Sequence, residues 1–554
     1  MQKGINTKWT SRARKALLCA LAAVTTVGLL LAGCAKSPSP GGDAQGQGNA
    51  PAPAGDVKHL IMAVDPDYET FDPGRAYEVY ADLVLHSCYD TLLQFVGGDV
   101  ETLVPCAAES YEVSEDKLTY TFQIKPGQKF ASGNEVTAED FKWSIERGIN
   151  LKGNPSFLAD SIESMETQGD YTLIFHMKQP DASFLTKLTY CMFAAVDRKT
   201  AEANGATNGA DAASADSAKT WFDYNSAGSG PYKIESFTPN SDVVMVRNEH
   251  YSGTAPYFDK ITIKTVTDTS AQVMSVQGGD IDIAVNVDVD QAKSLEGAAG
   301  ITVHRARTAT ISYLLLNCSE EYGPIANEKV HQAIRYAIDY PGVLALATEG
   351  STVPVGPFPE GFPGSLPAND PNNIRDLEKA KALMAEAGYA NGFSVELYIP
   401  TINVLGVDFV TVGQKVQNDL KEIGIDVQIV AQDSAVAQEG YRTGTQSMGL
   451  RMWGPDYPDN GAQLAFLPGS VVGLRANWAA ESNPELVELG KKAESTVDLE
   501  ERTQIFQQIA QLMNEQSPFV TLIQHATQYV TRANITGAEY SNRYLFDLRS
   551  IAAE

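Results

Sequence analysis

The chain has 554 residues, 43% of them hydrophobic, 9% aromatic and 20% charged, and its 42 Lys and Arg against 69 Asp and Glu give a formal net charge of −27. An acid surplus of that size excludes the basic faces that nucleic acid and anionic lipid surfaces require, and reads as solvation of a soluble body. The length exceeds what one hydrophobic core usually serves, so at least two lobes are expected.

Lys3, Lys8, Arg12, Arg14 and Lys15 precede an apolar run from Ala16 to Leu31, which leads into Leu31-Ala32-Gly33-Cys34. A basic start, an apolar middle and small residues before a cut are the order of a secretory signal. Leu-Ala-Gly-Cys resembles the lipobox of bacterial lipoproteins. That resemblance implies removal of residues 1–33, a diacylglycerol on the Cys34 sulfur and a tie to the membrane through the N-terminal lipid. The alternative is an uncleaved signal anchor, for which the run is at the short end. Without residues 1–33 the balance is 37 basic against 69 acidic, or −32. Residues 35–56 contain no aromatic or large aliphatic side chain, so 34–56 reads as a flexible tether with a span of roughly 25 Å. Beyond the signal no uncharged apolar run approaches about 18 residues, so no further span is expected.

Along the body, strands and helices alternate in α/β fashion. Pro126-Gly127 fits a tight turn, and Thr137 fits an N-cap whose helix has Glu139 and Asp140 in its first turn, at the positive end of the dipole. Gly228 and Gly230 fall short of a nucleotide loop, because the third glycine is missing and Pro231 interrupts it. Asp280 and Asp282 lack the further oxygen ligands of a calcium loop. A helix is expected over Asp376 to Ala387, ending at Gly388. Phe393, Val395, Leu397 and Ile399 alternate as in a strand; Phe409, Val412, Val416, Leu420 and Ile423 recur at helical spacing up to Gly424; Ile425, Val427 and Ile429 alternate again. This predicts a strand–helix–strand unit with parallel strands and a right-handed crossover. Asp498 and Glu501 have capping-box spacing ahead of Ile505, Ile509, Leu512 and Met513.

Of the six cysteines, Cys19 falls within the signal and Cys34 at the cut. For Cys88, Cys106, Cys191 and Cys318, an oxidising compartment permits a Cys88–Cys106 bridge and equally permits free buried thiols. No Cys or His spacing suggests zinc, and the histidines are scattered, so neither a metal nor another cofactor is expected. Gly-x-Ser-x-Gly and His-Glu-x-x-His are both absent, which leaves a secreted hydrolase without its usual markers.

Four blocks resemble the peptide and nickel solute-binding proteins of bacteria, family 5. They are Tyr120 to Phe130 with Val136 to Phe141; Gly228 to Lys233 with Arg247 to Tyr251; Gln277 to Ala284; and Arg451-Met452-Trp453-Gly454-Pro455-Asp456-Tyr457-Pro458-Asp459. The likeness extends to Val330 to Asp339, and runs from about Leu60 to about Tyr544. Two departures are Tyr340, where a basic residue is usual, and Glu249-His250 in place of a Pro-containing pair.

By itself the 451–459 stretch reads as a turn with solvated charges. The resemblance to the family's Trp-x-x-Asp-Tyr motif implies instead that Asp456 pairs with a peptide's α-ammonium group. Trp453 and Tyr457 would then shield that contact, and Arg451 would balance Asp456 or meet a ligand carboxylate. Asn286 and Tyr313 are further cleft candidates, each equally readable as a packing residue. The implied fold is α/β and two-lobed, periplasmic-binding-protein-like (class II, cluster C type), with an extra subdomain in the first lobe. Its expected parts are lobe one, 57–286 plus 523–554, with a subdomain at about 93–189, and lobe two, 287–522. The implied function is extracytoplasmic capture of short peptides by a monomer, without catalysis, for delivery to an ABC permease and ATPase complex. A nickel chelate, an oligosaccharide or another small solute is the alternative cargo.

Overall fold

The computed structural model describes residues 57–66, 68–368 and 374–554; the signal, Cys34 and the tether lie outside the described residues. In β1 (His59–Val64), Leu60, Met62 and Val64 are fully buried, and α1 (Val79–Cys88) follows. A separate antiparallel sheet of order β2-β3-β5-β4 is formed by β2 (Ala108–Val113), β3 (Thr119–Ile124), β4 (Ile162–Gln168) and β5 (Thr172–Met177). Gly127 in the turn after β3 has φ +79°, which its glycine adopts without strain. Thr137 caps α2 (Ala138–Leu151), and the Asp140 carboxylate accepts from the Thr137 backbone N–H at 2.9 Å and from its hydroxyl at 2.6 Å.

β6 (Tyr232–Thr238), β7 (Asp242–Arg247), β8 (Lys260–Thr265), α3 (Thr269–Gly278) and β9 (Ile283–Ala284) build outward around β1. The glycines ahead of β6 have a packing reason. A Cβ on Gly228 would sit 2.1 Å from the Cys88 carbonyl oxygen, and one on Gly230 would sit 2.6 Å from the Cys88 carbonyl carbon. The chain therefore lies directly against the end of α1, and only glycine fits. Asp282, in the acidic block before β9, turns its carboxylate onto the Ile61 N–H at 2.8 Å.

The second half comprises β10 (Ile301–Leu316), α4 (Glu328–Ala337), α5 (Leu377–Glu386), β11 (Phe393–Pro400), α6 (Phe409–Lys421), β12 (Ile425–Gln432), α7 (Ser434–Arg442), β13 (Met448–Trp453), α8 (Pro484–Ser495), α9 (Leu499–Gln516) and β14 (Phe519–Arg532). The expected strand–helix–strand unit is β11-α6-β12, with β11 and β12 parallel and Phe393 opposite Ile425. Asp376 caps α5 by accepting from the Lys379 N–H at 2.9 Å, and Asp498 caps α9 by accepting from the Glu501 N–H at 2.9 Å. Tyr340 is buried, with its hydroxyl on the Arg335 carbonyl at 3.1 Å, so that departure from the family pattern concerns packing.

β1 and β6 to β14 join one ten-stranded sheet, of order β12-β11-β13-β10-β14-β9-β1-β8-β7-β6. β10 and β14 form its centre. Residues 301–307 of β10 pair with 526–532 of β14, and 311–315 pair with 519–524, with the register slipping between Arg307 and Ile311. One end of this pair adjoins β9 and the other adjoins β13. Hydrophobic cores lie on both faces of the β10–β13 end, around Leu314 and Leu450 on one side and Tyr313 and Phe466 on the other.

Cys88, Cys106, Cys191 and Cys318 are free thiols, and burial pushes Cys88 and Cys106 up to about 12. Among the described residues no helix is long and apolar enough to cross a membrane.

Candidate functional site

Strand geometry decides which residues of the 451–459 stretch face the same way. Trp453, the last residue of β13, stands opposite Ile311 of β10, and Arg451 stands opposite Tyr313. Successive side chains point to opposite faces, so Met452, 41% exposed, turns one way while Arg451 and Trp453 turn the other. Met452, Gly454, Pro455 and Asp456 line a cavity of about 300 Å³ with Tyr77, Asp82, Tyr190, Thr310, Ser541, Asn542 and Arg543. Its walls come from three stretches far apart in sequence, residues 77–190, 309–456 and 540–545.

Asp456 is half-buried, and burial raises its carboxyl above the ordinary carboxylate range. The Tyr77 hydroxyl, 379 residues away in sequence, donates to Asp456 Oδ1 and opposes that rise. The Tyr77 ring is braced by Phe157 at 6.2 Å and Tyr190 at 6.1 Å. No Lys, Arg or His among the described residues pairs with Asp456. The other acid on the wall, Asp82, is buried and chelated by Arg543, whose Nε also donates to Thr189 Oγ1 at 3.1 Å and whose Nη2 donates to the Thr189 carbonyl at 2.9 Å. The Arg543 guanidinium lies over the Tyr190 ring at 4.5 Å, and the Asp82 carboxylate beside it holds it more firmly protonated than usual.

The remaining candidates lie elsewhere. Arg451 is buried on the opposite face; it donates to the Leu450 carbonyl at 2.9 Å and to the Gln446 side chain, and sits over the Tyr441 ring at 5.4 Å. Tyr313 is fully buried beside it, bonded to the Tyr441 hydroxyl at 2.8 Å and packed on Phe466 and Phe519. Trp453 packs edge-on against Phe466 at 5.5 Å, and its indole N–H is buried without a partner. Tyr457 borders a separate pocket with Phe157, Ser183, Lys187 and Glu494. There segments distant in sequence are clasped together: Ser183 Oγ donates to Asp459 at 2.9 Å, Arg502 grips Asp459 with two bonds of 2.7 Å, and the Ala182 N–H meets the Glu494 carbonyl at 2.9 Å. Asn286 lines another cavity, of about 410 Å³, with Asp65, Asp288, Asn403 and Gln528. Its Oδ1 accepts from the Asp65 N–H at 2.8 Å, and its Nδ2 donates to the Tyr80 hydroxyl at 3.1 Å.

Of the residues at this cavity, the sequence motif singles out Asp456 and gives no sign of Tyr77, Asp82 or Arg543. No spacing could have joined them, because the contact from Asp82 to Arg543 alone spans 461 residues of sequence.

A family model described as bacterial extracellular solute-binding proteins, family 5 middle, matches residues 102–471. The chain belongs to that family. This family 5 protein is 26% identical over 490 residues to a probable D,D-dipeptide-binding periplasmic protein, DdpA, of Escherichia coli (strain K12), covering 86% of this chain and 90% of the relative. It is also 26% identical over 499 residues to a glutathione-binding protein, GsiB, of Shigella flexneri serotype 5b (strain 8401), covering 87% and 92%. Among solved structures, the ABC transporter-associated periplasmic binding protein DppA from Helicobacter pylori, in complex with the peptide STSA, superposes with a TM-score of 0.73 at 23% identity, covering 90% of this chain and 99% of that one. That likeness establishes the two-lobed family 5 fold.

Proposed function

We propose that the protein is the extracytoplasmic, lipid-anchored receptor of an ABC importer and that it captures short peptides in the cavity at Asp456. Lobe one then comprises 57–286 plus 523–554 with a subdomain at about 93–189, lobe two comprises 287–522, and the chain crosses between them after Asn286 and again within β14, the two crossings of a hinge. The monomer delivers its guest to a permease and ATPase complex and performs no chemistry on it. The observation behind this reading is Asp456 itself, a partly desolvated carboxylate on a cavity wall with a phenol for a partner and no cation. Charge withdrawn from water without a counter-ion is costly, and a guest's ammonium group would supply what is missing. Curated relatives named for dipeptide and glutathione binding agree with a small amide-containing guest.

Calorimetry with a peptide identified by native mass spectrometry of the purified protein provides the test. Asp456→Asn should weaken binding by about 2 kcal/mol or more, roughly thirtyfold. Unchanged affinity would overturn the assignment, and a co-purifying nickel chelate or sugar would redirect it to another solute. Since burial raises the Asp456 carboxyl, affinity should also fall on acidification at a higher pH than an ordinary carboxylate would give, as the anion that holds the ammonium is lost. The anchor has its own check. Cys34→Ser should release the protein from the membrane fraction, and full retention there would exclude lipidation at that position.

A further inference from the structure

Resting on the reading just given, we infer that the Asp456 cavity takes a guest with an unbalanced positive charge: a peptide whose C-terminal carboxylate is masked or stays outside the cavity, rather than a compact zwitterion. Three observations lead there. First, Arg543 is the one basic residue among those lining the cavity, against the two acids Asp82 and Asp456. Second, Arg543 is already committed. Both of its terminal nitrogens reach Asp82, and Nε and Nη2 are also taken by Thr189, so the Asp82–Arg543 pair is neutral as a unit. Third, Arg451, the base that sequence would set beside Asp456, faces a different core and bonds to Gln446 and to backbone carbonyls.

What remains on the wall is one negative charge. A guest ammonium neutralises it; a carboxylate brought in with that ammonium would meet Asp82 and Asp456 with no free cation to hold it. Asp456 is half-buried, so the mismatch is screened less than it would be on an open surface. The cavity around Asn286 shows the same bias, with Asp65 and Asp288 on its wall and no basic residue.

The test uses the full mature protein and three probes made from one dipeptide, Ala-Ala: the free acid, the C-terminal amide and the Nα-acetyl acid, each titrated by calorimetry at neutral pH. The amide should bind at least about tenfold more tightly than the acid, and the acetylated form should not bind measurably. Tighter binding of the acid than of the amide would overturn the inference while leaving ammonium recognition intact. Equal binding of the acetylated and free-amine forms, or binding of none of the three, would overturn the Asp456 reading and this inference with it. Asp82→Asn gives an independent arm, with thermal unfolding as the check that the variant is folded. By freeing Arg543 it should move the acid-to-amide preference toward the acid by about tenfold, and an unmoved preference would show that Arg543 is not what the guest's carboxylate lacks.

Discussion

Replacing Arg147 with methionine should cost the protein about 3–5 kcal/mol. This arginine lies on α2 and is 1% exposed, the largest fully buried side chain in the molecule as described. It grips Asp72 with two bonds of 2.7 Å and Asp216 with bonds of 2.8 and 3.1 Å, and its guanidinium lies 4.9 Å from the centre of the Phe222 ring. Methionine fills much of the volume but leaves two buried carboxylates with only Arg75, at 3.2 Å from each, to neutralise them. The cost therefore comes from the acids left behind, more than from the bonds removed. Urea unfolding followed by circular dichroism should show the first transition moved to lower denaturant. Adding Asp72→Asn and Asp216→Asn to Arg147→Met should recover a large part of the loss. A single variant as stable as the parent would show that the network is dispensable.

The second large effect is a loss of stability on mild acidification. His331 and His525 are buried, and burial lowers their pKa from the ordinary 6.5 to about 4 and about 3 respectively. In the unfolded chain both take up protons near 6.5, whereas in the folded protein they stay neutral until far lower pH. The unfolded state thus binds more protons through this window, so stability is complete above about 6.5 and falls as pH drops toward 4 for His331 and toward 3 for His525. Each group can contribute on the order of 3–5 kcal/mol across its window. His331 already bonds the Ile325 carbonyl at 2.6 Å, and His525 meets Ser312 Oγ at 2.6 Å while its Nδ1 has no partner. A denaturation series should be flat from pH 8 to about 7 and slope downward by pH 5, above the range where ordinary carboxylates contribute. His525→Gln should flatten that slope, and an unchanged slope in the variant would exclude the histidine.

The β11-α6-β12 unit was legible because its apolar residues follow a period of 2, then 3.6, then 2, and because Gly424 marks the turn with φ +86°. Thr137 and Asp498 were legible as caps because the capping bond is local. The site was legible only in part. Asp456 stands in a recognisable motif, but the face to which Arg451 points depends on the parity of β13 in its sheet, and no local pattern encodes that. Trp453 and Tyr457 flank Asp456 in sequence and yet serve a core and a separate pocket, because the strand ends at Trp453 and the chain bends over residues 456–459. Tyr77, Asp82 and Arg543 converge with Asp456 only once segments hundreds of residues apart have come together. A buried arginine such as Arg147 is equally hidden, since on a helix it reads as a solvated charge until its two acids arrive from distant loops.

The position of β14 has a consequence for biogenesis. It is the last long strand to be made, yet without it the ten-stranded sheet falls into two pieces, β12-β11-β13-β10 and β9-β1-β8-β7-β6. Until residues 519–532 emerge, β9 and β10 each present a bare backbone edge, open to pairing with other chains. Final assembly must therefore await nearly the whole polypeptide, and a nonsense codon shortly before Phe519 would leave the two pieces of the sheet unjoined, with both edges exposed.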